Sequence, residues 1–480
     1  MPRFIDIVPE IGYNKHIYKR TYRRHTMSEN EKAELRGDII NHSEEGDYIV
    51  PKEAAVREKL EWFQDQKFAL MVHWGAYSEM GMCESWPLSE EDAEWSRKEY
   101  TWEPDAALFR KQYWDMNKSF NPLRFQPQEW AEFAANVGFK YFIFTTKHHD
   151  GFCMYDSKYS DYKVTAEDCP FHTHKYKNIA KELFDAFRKK GIAIAPYFSK
   201  PDWHCPWYWA EGQELPVAHW RNPTYDPVKK PELWNQFVEY THNQLTEIAE
   251  DLGPVDILWL DGGQVRPQNG QNIRLMDLAD KLRQKNPGLI LADRTVGGET
   301  ENYITPEQQV PGHFISVPWE SCVTIGRSFA FNYEDDLKSL RQLVHLLVDV
   351  VGKGGNLALN IGAQPDGRLP VKACQRALEL GAWLKENGEA IYGTRALSPY
   401  FAGDWSFTQN SNNRFAILRL PEGSALGRHV TVPLAGVTAA SIVGRDEPLP
   451  VKTLEGSAVI TLPEDLLGKC PEAVAFRLNK

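Results

Sequence analysis

From about residue 60 onward, short apolar runs rich in β-branched and aromatic residues recur along the chain, each beginning apolar and ending polar. They are 68-FALMVHWG-75, 141-YFIFTTKHHDGF-152, 192-IAIAPYFS-199, 257-ILWLDG-262, 289-LILADRT-295, 314-FISVPWE-320 and 356-NLALNIG-362. A continuous apolar run implies a strand buried on both faces, and therefore a parallel sheet covered by helices. Stretches of helical spacing lie between the runs. Residues 127–138 set Trp130, Phe133 and Val137 on one face and stop at Gly138, and 178–191 repeats the scheme with Asn178 at the N-cap and Gly191 as the closing glycine. Six or seven such units predict a (β/α)8-like, TIM-type barrel rather than an open sheet. In that fold the polar strand ends converge on one mouth.

After Tyr392-Gly393-Thr394 the pattern changes to short alternating segments, 414-RFAILRL-420, 429-HVTVPL-434, 438-TAASIV-443, 457-SAVITL-462 and 474-VAFRL-478, separated by Gly, Pro and Asp. These read as a small antiparallel β-sandwich. The expected organisation is a polar arm over residues 1–50, a barrel over 51–393 and a C-terminal β-sandwich over 394–480. The arm carries five Lys or Arg between Lys15 and Arg24 and reads as a solvated segment lying on the domain.

Composition adds few constraints. The formal charge of −11 argues against a nucleic-acid surface, and no run of apolar residues is long enough to span a membrane. The first 25 residues hold no apolar leader followed by a cleavage site, so the expected location is the cytoplasm, or the periplasm or exterior for a form already stripped of its signal. Seven scattered cysteines without a CxxC pair read as reduced and structural. Sixteen Trp suit either a packed core or the C–H faces of a sugar, and composition does not choose between them. A homo-oligomer is left open.

The strand ends would bring His73, Trp74, Lys147, His148, His149, Asp150, Tyr197, Trp259, Asp261, Arg294, Trp319 and Glu320 to one cavity. The cluster His148-His149-Asp150 resembles a metal site that His73 or His172 and His174 could complete. Neighbouring residues on a strand point to opposite faces, however, so two adjacent histidines share an ion only if the strand has ended. The favoured reading is that neutral imidazoles and a lysine bind a polyhydroxylated ligand. Asp261, after ILWL and before Gly-Gly, sits where an apolar strand emerges into a pocket and would be a strong nucleophile there; the plainer reading is a turn aspartate. Glu320 again places a carboxylate after an apolar run, with Glu307, Glu299 and Glu301 as competitors. Two carboxylates on different strands of one barrel mouth are what glycoside hydrolysis requires. The glycines of 353-KGGNLALNIGAQPDGRLP-370 fit neither phosphate-loop motif and read as a tight loop, a buried strand and a turn.

From about Trp62 to Gly393 the chain resembles the α-L-fucosidases of glycoside hydrolase family 29. The resemblance rests on FALMVHWGAYS, FNPLRFQPQEWAEFAANVGFKYFIFTTKHHDGFCMYDSKYS, PYFSKPDWH, YTHNQLTEIAEDLGPVDILWLDGG, PWESCVTIG and GKGGNLALNIGAQPDGRLP. It implies retaining hydrolysis of terminal α-L-fucosyl linkages on oligosaccharides or glycoconjugates, with no metal or organic cofactor. By the same resemblance Asp261 is the nucleophile and Glu320 the general acid/base, with Glu307 its rival. His73, Glu84, Trp86, His148, His149, Tyr197, Trp259, Arg294 and Phe329 would bind the sugar. Two blocks depart from the family pattern: Glu84-Ser85-Trp86-Pro87 stands where Glu-Trp-Tyr is usual, and Phe329-Ala330-Phe331 where Trp-Gly-Tyr is usual. The competing expectations are a metal-dependent barrel hydrolase using the histidine cluster and an inactive fucose-binding protein.

Overall fold

The computed structural model describes residues 42–89, 96, 103–210 and 221–479, so the basic run of the arm lies outside the described residues. Seven parallel strands form one sheet: β1 (Phe68–Val72), β2 (Tyr141–Lys147), β3 (Ala193–Ser199), β4 (Ile257–Asp261), β5 (Ile290–Asp293), β6 (Glu320–Thr324) and β7 (Asn356–Asn360). They follow the order β5-β4-β3-β2-β1-β7-β6. Between the two edge strands, residues 300–308 hydrogen-bond to both sides. Asn302 N–H donates to Leu291 O at 2.9 Å on β5, and Glu320 N–H donates to Ile304 O at 2.8 Å on β6. This irregular segment fills the eighth position of the predicted barrel.

Alternation within each strand separates two cores. Ala69, Met71, Tyr141, Ile143, Tyr197, Ile257, Trp259, Ala292, Cys322 and Ala358 pack together inside the curved sheet. Their neighbours Leu70, Val72, Phe142, Phe144, Phe198, Leu258, Leu260 and Leu359 face the surrounding helices. Both sets are buried because both faces of the sheet are covered, which is why the runs read as continuously apolar.

The helices are α1 (Ala54–Gln66), α2 (Ala106–Trp114), α3 (Pro127–Val137), α4 (Ile179–Arg188), α5 (Pro231–Glu250), α6 (Leu275–Arg283), α7 (Leu340–Gly352) and α8 (Val371–Asn387). Gly138 ends α3 at φ 97, as its position predicts. Asn178 stands at the N-cap of α4, but its side chain makes no capping bond. Among the described residues no helix is long and apolar enough to cross a membrane.

One predicted strand is displaced. The run 314–320 is not a strand; β6 starts where that run stops, so Glu320 opens a strand instead of closing one. The apolar residues before it serve the core instead: Trp319 is buried, with its indole N–H donating to Lys353 O at 3.2 Å.

The C-terminal strands are β8 (Arg395–Ala402), β9 (Trp405–Gln409), β10 (Arg414–Arg419), β11 (His429–Val432), β12 (Ala440–Ile442), β13 (Pro448–Leu449), β14 (Val451–Leu454), β15 (Ser457–Thr461) and β16 (Ala473–Leu478). They form antiparallel sheets of six and three strands, and Phe407, Val432, Ile460 and Phe476 share one core between the sheets. The outer face of the larger sheet, through Phe415, Ile417 and Ala475, joins the core around α7 and α8. The end of the N-terminal arm lies on the β5 side of the barrel, where Ser43 donates to Glu301 at 2.6 Å and Gly298 N–H donates to Asp47 O at 3.0 Å.

Candidate active site

Asp261 is the last residue of β4 and faces inward, two positions after Trp259. Gly262 follows at φ 90, a conformation open to glycine, and a Cβ there would lie 2.2 Å from Pro201 Cδ. The tight turn thus holds the carboxylate at the strand end. One oxygen accepts from Tyr197 O–H at 2.6 Å, and the other accepts from Arg294 Nη1 at 2.8 Å. Burial pushes the Asp261 carboxyl up, but the Arg294 guanidinium and the Tyr197 hydrogen bond outweigh it and hold the group well below the usual carboxylate range. Asp261 is therefore ionised at any working pH.

The second guanidinium nitrogen of Arg294 is paired with Glu307. A single side chain thus spans two carboxylates, whose side chains are 14% and 28% exposed for Asp261 and Glu307 respectively. Glu84 is the third acid of the cavity. It accepts from Ala330 N–H at 2.6 Å, and burial, with Glu307 and Asp261 nearby, pushes it up to about 8. Among the described residues, three of the six non-glycine residues with positive φ adjoin this group: Glu84 itself (φ 48), Thr295 after Arg294 (φ 60) and Gln308 after Glu307 (φ 53). Such conformations cost on the order of 1–3 kcal/mol each and persist where surrounding structure enforces them, commonly at functional sites.

The three histidines are neutral. Burial pushes His73 and His149 down to about 4 and His148 well below its ordinary value. Each Nδ1 is tied to a buried polar group. His73 Nδ1 meets Asn360 Oδ1 at 2.8 Å, His148 Nδ1 meets Ser85 Oγ, and His149 Nδ1 meets Ser199 Oγ. Asn360 spends its amide N–H on Phe329 O at 2.7 Å, so its Oδ1 accepts and His73 Nδ1 carries the proton. Ser199 donates to Pro201 O at 2.9 Å, which makes it an acceptor for His149 in the same way. These networks assign Nε2 of both rings as acceptors. His149 Nε2 faces Asp261 Oδ2 at 3.9 Å, two acceptors with room for a donor between them.

Aromatic rings line the rest. Tyr197 stacks on Trp259 with centroids 5.2 Å apart, Phe329 lies 4.9 Å from His73, and Trp86 lies 4.9 Å from His149. The unusual Glu84-Ser85-Trp86 block therefore contributes all three of its side chains to the site.

Several expected members lie elsewhere. Strand pairing shifts register between Thr145 and Lys147, which turns Lys147 outward onto a buried network with Asp202 at 2.8 Å and Gln244 at 3.1 Å. It does not reach the cavity. Asp150 accepts from Tyr113 O–H at 2.8 Å, and Trp74 packs on Phe120, Phe125 and Trp130 in the core. Glu320 is fully buried at the start of β6, its carboxylate taken by the Tyr141 hydroxyl and by Trp259 Nε1, the latter at 2.9 Å. Of its rivals, Glu301 accepts from Ser43 and Gly297 N–H, and Glu299 pairs with Lys52. No motif marks Asn360, Ser85 or Ser199 in the sequence; a polar residue inside an otherwise apolar strand, such as Asn360 in NLALN, is the available signal.

Because β2 ends at Lys147, His148 and His149 both approach Asp261, and ligand atoms of the three lie within 4.8 Å of one another. The proviso for a shared ion is thus met in geometry. The charge is not favourable, since Arg294 already neutralises Asp261 and would face a bound cation at short range.

The sequence model of a family described as Alpha-L-fucosidase matches residues 39–389. The plasma alpha-L-fucosidase of Homo sapiens is 28% identical over 85% of this chain and 87% of its own. The alpha-L-fucosidase of Dictyostelium discoideum is 26% identical over 84% and 88%. Among solved structures, alpha-L-fucosidase isoenzyme 1 from Paenibacillus thiaminolyticus superposes with a TM-score of 0.70 at 26% identity, covering 89% of this chain and 99% of that one. The Thermotoga maritima alpha-fucosidase in complex with fucose gives 0.68 at 26%, covering 90% and 98%. With the family match running from the arm through the whole barrel, the chain belongs to the α-L-fucosidases and is a glycoside hydrolase.

Proposed function

We propose that the chain hydrolyses terminal α-L-fucosyl linkages with retention, Asp261 serving as nucleophile and Glu307, in place of Glu320, as general acid/base. The carrying observation is Arg294, which grips one oxygen of each carboxylate. A pair held by one guanidinium is close-set, as retaining enzymes require: their carboxyls lie about 5–5.5 Å apart, against about 6.5–9.5 Å in inverting ones. Glu320 has no comparable access, being enclosed beneath Trp259.

In the first step Asp261 attacks the anomeric carbon while protonated Glu307 gives its proton to the leaving oxygen, forming a fucosyl ester. In the second, Glu307 takes a proton from water as that water attacks the same carbon and releases Asp261. Entry of the sugar has to part Glu307 from Arg294, which frees its carboxyl to reach the leaving oxygen. Neutral His73, His148 and His149 offer fixed hydrogen bonds to the sugar hydroxyls. Trp259, Phe329 and Trp86 supply apolar walls for the ring and its methyl group, and Glu84, protonated at neutral pH, adds a donor. Fucose bound in the Thermotoga maritima relative, at 26% identity, supports the choice of sugar.

The test is chemical rescue. Asp261→Gly should lower kcat on an aryl α-L-fucoside by about a thousandfold or more, equivalent to roughly 4 kcal/mol of barrier, and azide should then yield the β-fucosyl azide. Glu307→Ala should lose about 10²–10⁴-fold on an alkyl fucoside. With a good leaving group, azide should restore it and give the α-azide. Full activity of Glu307→Ala on poor leaving groups would refute the acid/base assignment.

A further inference from the structure

Glu320 is a buried acid that the mechanism above does not use. Its partners are uncharged, the Tyr141 hydroxyl and the Trp259 indole N–H with the Tyr303 hydroxyl beside them, and burial pushes the carboxyl up to about 7 despite those hydrogen bonds. An acid enclosed without a countercharge is costly in a core position that an apolar residue could fill. What it contacts explains its use.

Trp259 Nε1 donates to Glu320 Oε1 at 2.9 Å from inside the barrel. The indole stacks on Tyr197 at 5.2 Å with the planes 21° apart, and Tyr197 O–H holds Asp261 at 2.6 Å. Arg294 sits 5.6 Å from the same indole ring on its way to Asp261. Trp259 is thus the shared support of the two groups that orient the nucleophile, and Glu320 is the acceptor that fixes the indole in rotation. Tyr141 and Asn356, from β2 and β7, fix Glu320 in turn, since Tyr141 donates to it and Asn356 Nδ2 donates to Phe63 O at 2.7 Å and to the Tyr141 oxygen at 3.4 Å.

We infer that Glu320 is a positioning residue that locks the Trp259 indole from below and, through Tyr197 and Arg294, sets the attack geometry of Asp261. This rests on Asp261 being the nucleophile. The role needs an acceptor at Oε1 and no negative charge, so glutamine should serve and leucine should not.

The experiment compares Glu320→Leu and Glu320→Gln, each in wild type and in Trp259→Phe, on an aryl α-L-fucoside. Glu320→Leu should lower kcat/KM about tenfold or more, as expected when a buried donor loses its acceptor, and Glu320→Gln should recover most of that loss. In the Trp259→Phe background, with no indole N–H to hold, Glu320→Leu should add no further loss. Full additivity in that background would overturn the inference. So would a Glu320→Gln variant as impaired as the leucine variant and rescued by azide, because that is the signature of an acid/base catalyst. Should Glu320→Leu fail to fold by circular dichroism, Glu320→Gln decides alone: near-wild-type kcat/KM without azide supports positioning, and azide-dependent recovery refutes it. Asp261→Gly measured alongside separates the two failures, since activity surviving there refutes the nucleophile whatever Glu320 does.

Discussion

Replacing Asn360 by leucine tests whether the histidines act through fixed tautomers. Asn360 is buried on β7 and holds His73 Nδ1 at 2.8 Å while giving its own amide to Phe329 O at 2.7 Å. Leucine has the same branched shape and number of side-chain heavy atoms and no polar atom. The Nδ1–H of His73 would then be buried without an acceptor, which costs about 1–3 kcal/mol. The ring can avoid that cost by moving the proton to Nε2, but the nitrogen offered to the sugar then changes from acceptor to donor and one hydrogen bond to the ligand is lost. Either route costs on the order of 1–2 kcal/mol at the site, or about 5–30-fold in affinity. Competitive inhibition by L-fucose and kcat/KM on an aryl fucoside should both weaken by that factor. A thermal melt checks that the fold is intact, and the same substitution in a His73→Phe background should add nothing. A fucose inhibition constant within twofold of wild type, or an undiminished effect in the His73→Phe background, would show that the tautomer argument is wrong.

Other outcomes follow from the same structure. Burial raises Glu84 to about 8, so the folded state keeps a proton there that the unfolded chain releases near pH 4.5; the associated stability is present below that pH and is lost as pH rises toward 8. Glu84→Gln should therefore gain thermal stability over wild type progressively between pH 5 and 8, and a constant difference across that range would contradict the assignment. Gly262→Ala, which brings a Cβ to 2.2 Å from Pro201 Cδ at a positive φ, should destabilise by about 1–3 kcal/mol in urea titration and lower kcat by displacing Asp261. Lys147→Met leaves Asp202 buried without its cation and should cost about 3–5 kcal/mol of stability, while the fucose inhibition constant stays unchanged because Lys147 faces away from the cavity.

Much of this molecule is legible in the chain alone, because period and burial are local properties. Continuous apolar runs such as YFIF and ILWL follow directly from strands covered on both faces, and Gly138 closes its helix where its backbone freedom is needed. Asp261, the three histidines, Tyr197, Trp259 and Arg294 were identifiable because each lies at or just beyond the polar end of such a run. What failed were inferences that needed knowledge of which way a side chain turns and what covers it. A register shift in β2 sends Lys147 outward while the strand's end lets His148 and His149 converge, and alternation by itself predicts the reverse. The run before Glu320 is apolar because it packs in the core, so it looks like a strand leading to a mouth although the acid stands at the start of β6, beneath Trp259. Glu307 lies in the irregular segment that fills the eighth barrel position, where no periodicity marks it, and only its pairing with Arg294 next to Asp261 distinguishes it from Glu299, Glu301 and Glu320. Periodicity reports which positions are buried; the choice among several buried or half-buried carboxylates depends on long-range contacts between strands, and those exist only once the sheet has curled.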